Sequence, residues 1–204
     1  MGPTDDGLGP WDPLGPAEAA ERFEHVPFWW AIAGGWAIDL FLGAQTRPHD
    51  DLDVAVSRAD AGLVFEALAA RWDCYVAAGG QLTRWRGENL AASVNSLWCR
   101  GPHDQAWRFE LVLTEIDDGD WVFRRNPRIR IAMDEAITPG SPSYLSPQVQ
   151  LLFKARHRRP KDDADLAQVW PRLAPDRRRW LHDALRTAEA ADHPWIAFTA
   201  APAS

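Results

Sequence analysis

The stretch AGGWAIDLFLGAQTRPHDDLDVAV, Ala33 to Val56, opens with a glycine pair and closes with Asp50, Asp51 and Asp53 at the head of an alternating apolar run. Carboxylates crowded at the mouth of a buried strand repel one another, so a group of opposite charge must offset them. Just upstream, FWWAIA (Phe28 to Ala33) predicts a buried strand that ends in a tight turn at Gly34 and Gly35. Trp36 to Leu42 predicts a short helix stopped by Gly43. From Asp51 to Val56 the side chains alternate, with Leu52, Val54 and Val56 on one side and Asp51, Asp53 and Ala55 on the other. That is the pattern of a half-buried strand whose polar face is turned to a cleft.

Asp51 and Asp53 therefore project from one face and can converge on one cation. A hard divalent ion with oxygen ligands, Mg2+, would neutralise them while bridging to substrate phosphates. Asp50 points the other way. A DxD pair alone is common in charged turns, and a lone Gly-Gly is common in ordinary ones. Here the glycine pair stands between a strand and a helix, where exposed N–H groups and the helix dipole favour a phosphate. Phosphate cradle and carboxylate pair, one short helix apart, are the combination that nucleoside-triphosphate chemistry needs.

A third acid comes from WRFELVLTE. Phe109, Leu111 and Leu113 form an apolar face, leaving Arg108, Glu110 and Val112 on the other. Glu110 buried without a partner would be costly, and a metal, Arg108 or another cation would relieve it. Arg47 is placed either to reach a triphosphate and orient the acids, or to balance Asp50 or Asp39. His49 reads as a residue that structures the turn. Farther on, Lys154 lies on a helix among Val149, Leu151, Leu152 and Phe153, so it either snorkels to solvent or points into the cleft. Lys161 opens the next helix, whose early acids Asp162 and Asp165 suit its positive end.

Composition bounds the class. With 204 residues, 46% of them apolar, the chain is globular and long enough for one large domain or a core with a helical appendage. No apolar run approaches the roughly 20 residues of a membrane-spanning helix. MGPTDDGLGPWDPLGP has neither the basic start nor the apolar centre of a secretory signal, so a cytoplasmic location and a loosely ordered lead-in are expected. Cys74 and Cys99 read as reduced, packed thiols, with no histidines at zinc-ligand spacing. The net charge of -7 counts against a nucleic-acid substrate, while FRRNPRIR and KARHRRPK leave local basic patches for a triphosphate. Nothing in the sequence fixes an oligomeric state.

The remaining elements complete an outline. Ser57 and Asp60 resemble a capping box opening a helix to about Trp72. Strands are expected over Cys74 to Ala77, Gln81 to Arg86 and Ser93 to Cys99. Trp107 to Glu115 and Asp120 to Arg124 form a hairpin through Asp-Asp-Gly. Ser146-Pro147 starts a helix to about Arg156, and Asp162 to Trp170 and Asp176 to Ala191 follow as helices. The fold class is α+β, with a mixed or antiparallel sheet. It divides into a lead-in over 1–22, an α/β core over 23–142 and a C-terminal helical region over 143–204. Most of the twelve tryptophans are assigned to packing.

GGWAIDLFLG followed by TRPHDDLDVAV, with RFELVL, DWVFRRNPRIR and YLSPQVQLLFKARHRRPKDDADL, resembles the nucleotidyltransferases of the aminoglycoside and lincosamide adenylyltransferase type. These belong to the polymerase-beta-like nucleotidyltransferase superfamily, and the resemblance runs from about Phe28 to Leu173. It implies ATP or another nucleoside triphosphate, Mg2+, and transfer of a nucleoside monophosphate to a hydroxyl of a small molecule with release of pyrophosphate. By position, it implies that Gly34 and Gly35 hold the triphosphate and that Asp51 and Asp53 bind metal. Glu110 would be the third acid, as metal ligand or general base, where many relatives have Asp. Lys154 and Lys161 become phosphate contacts. The acidic balance favours a cationic acceptor such as an aminoglycoside, with Asp39, Asp117, Asp118 and Asp120 free to pair with ammonium groups. Two other readings stay open: modification of tRNA or a protein on the same fold, and a non-catalytic nucleotide-binding module.

Overall fold

The computed structural model describes residues 8–200. In chain order its elements are α1 (Pro16–Arg22), β1 (Trp30–Ile32), α2 (Gly34–Leu42), β2 (Asp53–Ser57), α3 (Ala61–Leu68), β3 (Asp73–Ala78), β4 (Gln81–Arg84), β5 (Ser96–Arg100), β6 (Phe109–Asp117) and β7 (Asp120–Val122). There follow β8 (Arg130–Ala132), α4 (Met133–Ala136), β9 (Ile137–Thr138), β10 (Tyr144–Leu145), α5 (Pro147–Ala155), α6 (Pro160–Val169), α7 (Pro175–Ala188) and α8 (Pro194–Ala200). The sheet runs β4-β3-β5-β6-β2-β1-β10-β9, and the far end of β6 also pairs with β7, which pairs with β8. The β2–β6 and β1–β10 pairs are parallel and the others antiparallel, so the sheet is mixed, as expected for an α+β chain.

The alternation in β2 separates two cores. Leu52, Val54 and Val56 enter one with Phe109, Leu111 and Leu113 of β6, under α1 and α3. Ala55 enters the other, with Trp121, Phe123 and the apolar faces of α5, α6 and α7. Asp53 shares the Ala55 side by the two-residue period of a strand, which turns it toward the C-terminal helices. That choice of face positions the site.

Local chemistry explains most element ends. Gly43 closes α2 in the left-handed conformation (φ 77°), as its sequence position predicts. Asp118 and Gly119 both have positive φ, which suits the tight hairpin between β6 and β7. Cys74 and Cys99 face each other across β3 and β5 as buried free thiols.

Several expectations shift. β2 begins at Asp53 rather than Asp51, and no side-chain cap forms at Ser57 or Asp60. A short 3-10 turn precedes α3 instead, and the helix ends at Leu68. Ser146 flanks α5 as expected, but its hydroxyl lies 2.9 Å from Thr138 Oγ1 instead of capping the helix. Residues 1–7 of the expected lead-in lie outside the described residues. Over 8–22 the chain packs on the sheet: Leu14 is buried, the backbone of Asp12 and Leu14 donates to Trp107 and Arg108, and α1 follows. The apolar residues Leu14 and Ala19, spaced among prolines and glycines, give that packing its grip. β10, past residue 142, is a strand of the core sheet.

Candidate active site

Parallel pairing sets Asp53 directly beside Glu110, their Cα atoms in register on β2 and β6. Both are half-buried, and Asp51 stands exposed in the turn before β2. Burial, then the charges of Glu110 and Asp51, push the Asp53 carboxyl well above the ordinary carboxylate range. Burial also raises Glu110, against hydrogen bonding from Ser96, while the charge of Asp51 adds to the rise. Nearby negative charge thus opposes the ionisation of Asp53 and of Glu110, as it does where carboxylates gather for a cation. Among the described residues, however, no three or more His, Cys, Asp or Glu form a ready metal-holding group. Glu110 is fixed by strand pairing, whereas Asp51 lies outside the strand, so the expected three-acid set is not drawn to one point.

Two cavities meet at Asp53. One, about 320 Å³, is lined by all five residues expected to hold a nucleotide, Gly34, Gly35, Arg47, Lys154 and Lys161, and by Asp51. Arg125, His157 and Arg159 add to its basic wall. The other, about 190 Å³, lies on the Glu110 side, with Asn95, Ser96, Thr114 and Arg124. Gly34, Asp53, Gln150 and Phe153 line both.

The glycines are required sterically, in different ways. Gly34 has φ 67°, and a Cβ there would overlap Oδ2 of Asp53. Its N–H donates to Gln150 Oε1 at 2.8 Å in a buried bond, so this amide is engaged by α5 and not aimed at the cavity. A Cβ on Gly35 would meet Arg47 Nη2 and the His49 ring, each at 2.5 Å. The pair lets the α2 turn pass close to the carboxylate on one side and to Arg47 on the other.

Arg47 pairs with neither Asp50 nor Asp39. It donates to His49 Nδ1 (3.0 Å) and lies 3.6 Å from Asp165. Because a guanidinium only donates, His49 Nδ1 must accept. The ring proton therefore sits on Nε2, 2.5 Å from Asp39 Oδ2. Thr46 donates to the other Asp39 oxygen at 2.6 Å, and Trp36 packs on the His49 ring at 4.3 Å. His49 does structure the turn, and its structuring reaches Arg47.

Lys154 neither snorkels nor stands free. Its Nζ lies 3.0 Å from both Asp162 and Asp165, and all three side chains are buried. Asp162 also accepts from the backbone and side chain of Arg159. Burial pushes Asp162 up, but the hydrogen bonds from Arg159 and Lys154 outweigh it and hold its carboxyl at about 2. Asp162 and Asp165, read as helix-end acids, are thus what binds α6 to α5. Arg108 pairs with Asp12 and Glu18 and does not serve Glu110.

Arg124, Arg125, Gln150 and Arg159 also line these cavities, without having stood out in the sequence as site residues. FRRN and KARHRRPK carried a signal as basic clusters, but which arginine turns inward depends on the turn after β7. Gln150 had none, since an uncharged residue between helix apolars reads as surface.

Residues 17–77 match the family model of aminoglycoside-2''-adenylyltransferase. Over 58 residues the chain is 43% identical to a 2''-aminoglycoside nucleotidyltransferase of Escherichia coli and equally to one of Klebsiella pneumoniae. That match covers 27% of this chain and spans only 30% of the length of those relatives. Among solved structures, ANT(2'')-Ia in complex with adenylyl-2''-tobramycin superposes with a TM-score of 0.54 at 16% identity, over 83% of this chain and 94% of its own. The lincomycin-bound lincosamide antibiotic adenylyltransferase LnuA gives 0.51 at 17% identity, over 74% and 92%. At such identities these likenesses speak to fold. Residues 17–77 thus carry the signature of the aminoglycoside-2''-adenylyltransferase family model, and the chain as a whole shares its fold with ANT(2'')-Ia and LnuA.

Proposed function

We propose that this protein transfers the nucleoside monophosphate of ATP to a hydroxyl of a small antibiotic of the aminoglycoside or lincosamide kind, with release of pyrophosphate. The observation that carries the reading is the place of Asp53, between a basic cavity and a second cavity holding Glu110. The first suits a triphosphate and the second an acceptor hydroxyl. The names of the relatives support the same chemistry.

The residues fit a magnesium ion in donor chemistry. Asp51 and Asp53 offer hard oxygens, and the upward push on Asp53 marks a place where added positive charge is favourable. Asp51 and Asp53 would hold the ion, which supplies charge neutralisation at the phosphates. The chain does the rest. Arg47 and Lys161 contact the phosphates, and Arg159 adds positive charge at the same wall. Their charges offset the negative charge that builds on the phosphoryl oxygens and the departing pyrophosphate. Lys154, spent on Asp162 and Asp165, positions α6 and its neighbours instead. Glu110 takes the proton of the acceptor hydroxyl as that oxygen bonds to the α-phosphorus and the bond to pyrophosphate breaks. A raised carboxyl is suited to that exchange.

Pyrophosphate release, measured with ATP and Mg2+ across aminoglycosides, lincosamides, tRNA and proteins, tests the reading. Release is expected with a small hydroxylated acceptor and is expected to vanish in Asp51→Asn/Asp53→Asn. Turnover that survives the double change would sink the metal assignment, and turnover with tRNA or protein alone would move the acceptor class.

A further inference from the structure

Arg47 lines the basic cavity with its side chain 20% exposed and its Nε buried without a partner among the described residues. Its two terminal nitrogens are held unevenly. Nη1 donates to His49 Nδ1 at 3.0 Å and to Pro48 O at 3.2 Å. Nη2 lies 3.6 Å from an Asp165 oxygen that Lys154 already approaches at 3.0 Å. His49 thus makes the shortest of these contacts. Without it, the guanidinium would be drawn toward Asp165, which is not among the residues lining the cavity.

The polarity of each link behind Arg47 is fixed. Asp39, read from the sequence as free for an ammonium group, is buried and accepts on both oxygens, from Thr46 at 2.6 Å and from His49 Nε2 at 2.5 Å. A carboxylate only accepts, so it holds the ring proton on Nε2 and leaves the Nδ1 lone pair facing Arg47. The ring is 2% exposed, and Trp36 packs on it at 4.3 Å. Gly35 keeps the space open, since a Cβ there would meet both the ring and Arg47 Nη2 at 2.5 Å. A histidine that merely filled the turn would need neither a fixed tautomer nor an acceptor turned to a cavity-lining cation.

We infer that His49 is a positioning residue for the triphosphate: Asp39 sets its tautomer, and its Nδ1 holds Arg47 in the nucleotide cavity against the pull of Asp165. This rests on the nucleotide reading above. His49 acts through Arg47 and is not itself among the residues lining that cavity.

Asparagine and glutamine divide the two functions of the ring, because the Asn amide reaches about as far as Nδ1 and the Gln amide about as far as Nε2. His49→Asn can still accept from Arg47 but gives up Asp39. His49→Gln can still donate to Asp39 but gives up Arg47. Stability and nucleotide binding should therefore move in opposite senses. Calorimetric titration with ATP and Mg2+ is expected to give a Kd within about twofold of wild type for His49→Asn and about tenfold weaker for His49→Gln, the scale of one hydrogen bond to a charged group. His49→Asn should nonetheless have the lower melting temperature. In an Arg47→Gln background, His49→Gln should add less than about twofold, since its effect runs through Arg47. Nitrogen NMR of the wild-type ring should place the proton on Nε2. Equal losses of binding in the two variants, losses that follow the melting temperatures, a full loss that persists without Arg47, or a proton on Nδ1 would each overturn the inference. The nucleotide reading fails separately: wild type that binds no ATP removes that reading and this role with it. Wild type and both variants binding ATP equally well would leave the reading standing and remove only the role of His49.

Discussion

Gly34→Ala isolates the geometric claim at the centre of the site, because Gly43→Ala supplies a matched control. Both glycines have positive φ, 67° and 77°, so each alanine variant bears the left-handed cost of about 1–2 kcal/mol. For a chain of 204 residues each kcal/mol moves the melting temperature by about 2–4 °C, so each variant should melt roughly 2–8 °C lower. The sites differ in what the new methyl meets. At Gly43 nothing lies within 4 Å. At Gly34 the Cβ overlaps Asp53 Oδ2 and comes within 2.9 Å of Asp53 Cγ. Carbon atoms rest at about 3.5–4.0 Å, so the carboxyl must retreat by on the order of 1 Å. A displacement of that size at reacting groups costs about 100-fold in rate. Pyrophosphate release with ATP and Mg2+ should therefore fall about 100-fold in kcat for Gly34→Ala and stay near wild type for Gly43→Ala, with similar melting shifts. Equal activities in the two folded variants would refute the claim that Gly34 makes room for a working Asp53.

Two further outcomes follow from the charges. Without metal, the native state holds the Asp53 proton more firmly than the unfolded chain, so stability falls as pH rises above about 4 and through the raised native value. Asp53→Asn should then melt higher than wild type at neutral pH, with the gain vanishing near pH 4 and Mg2+ stabilising only the wild type; a variant that melts lower across that range would contradict the burial argument. Lys154→Met leaves Asp162 and Asp165 buried without their ammonium, at a cost of about 3–5 kcal/mol, read as a melting temperature roughly 6–20 °C lower. Asp162, held at about 2, keeps its contribution above about pH 4 and loses it as pH falls toward 2, so the gap between wild type and variant should narrow in acid. A gap that is constant with pH would mean the lysine acts by packing alone.

Residues near in sequence disclosed one edge of the candidate site. The two-residue period of β2 sorts Leu52, Val54 and Val56 from Asp53, and Gly34-Gly35 needs only local backbone geometry, so both were legible from one short stretch. Glu110 was legible as a lone acid on an apolar strand, and parallel pairing then set it beside Asp53. The roles of Lys154, Asp162 and Asp165 were not, because the sequence places them on two helices and only helix packing turns them to one buried knot. Gln150, 116 residues from the amide it accepts, and Arg124, turned inward by the chain after β7, gave no periodic sign at all. Sequence by itself determined the α+β class, the glycine turn and the acids, since strand period and turn chemistry act within a few residues. Only the tertiary structure decided which charges are already paired, because ion pairing depends on distances that span the whole chain.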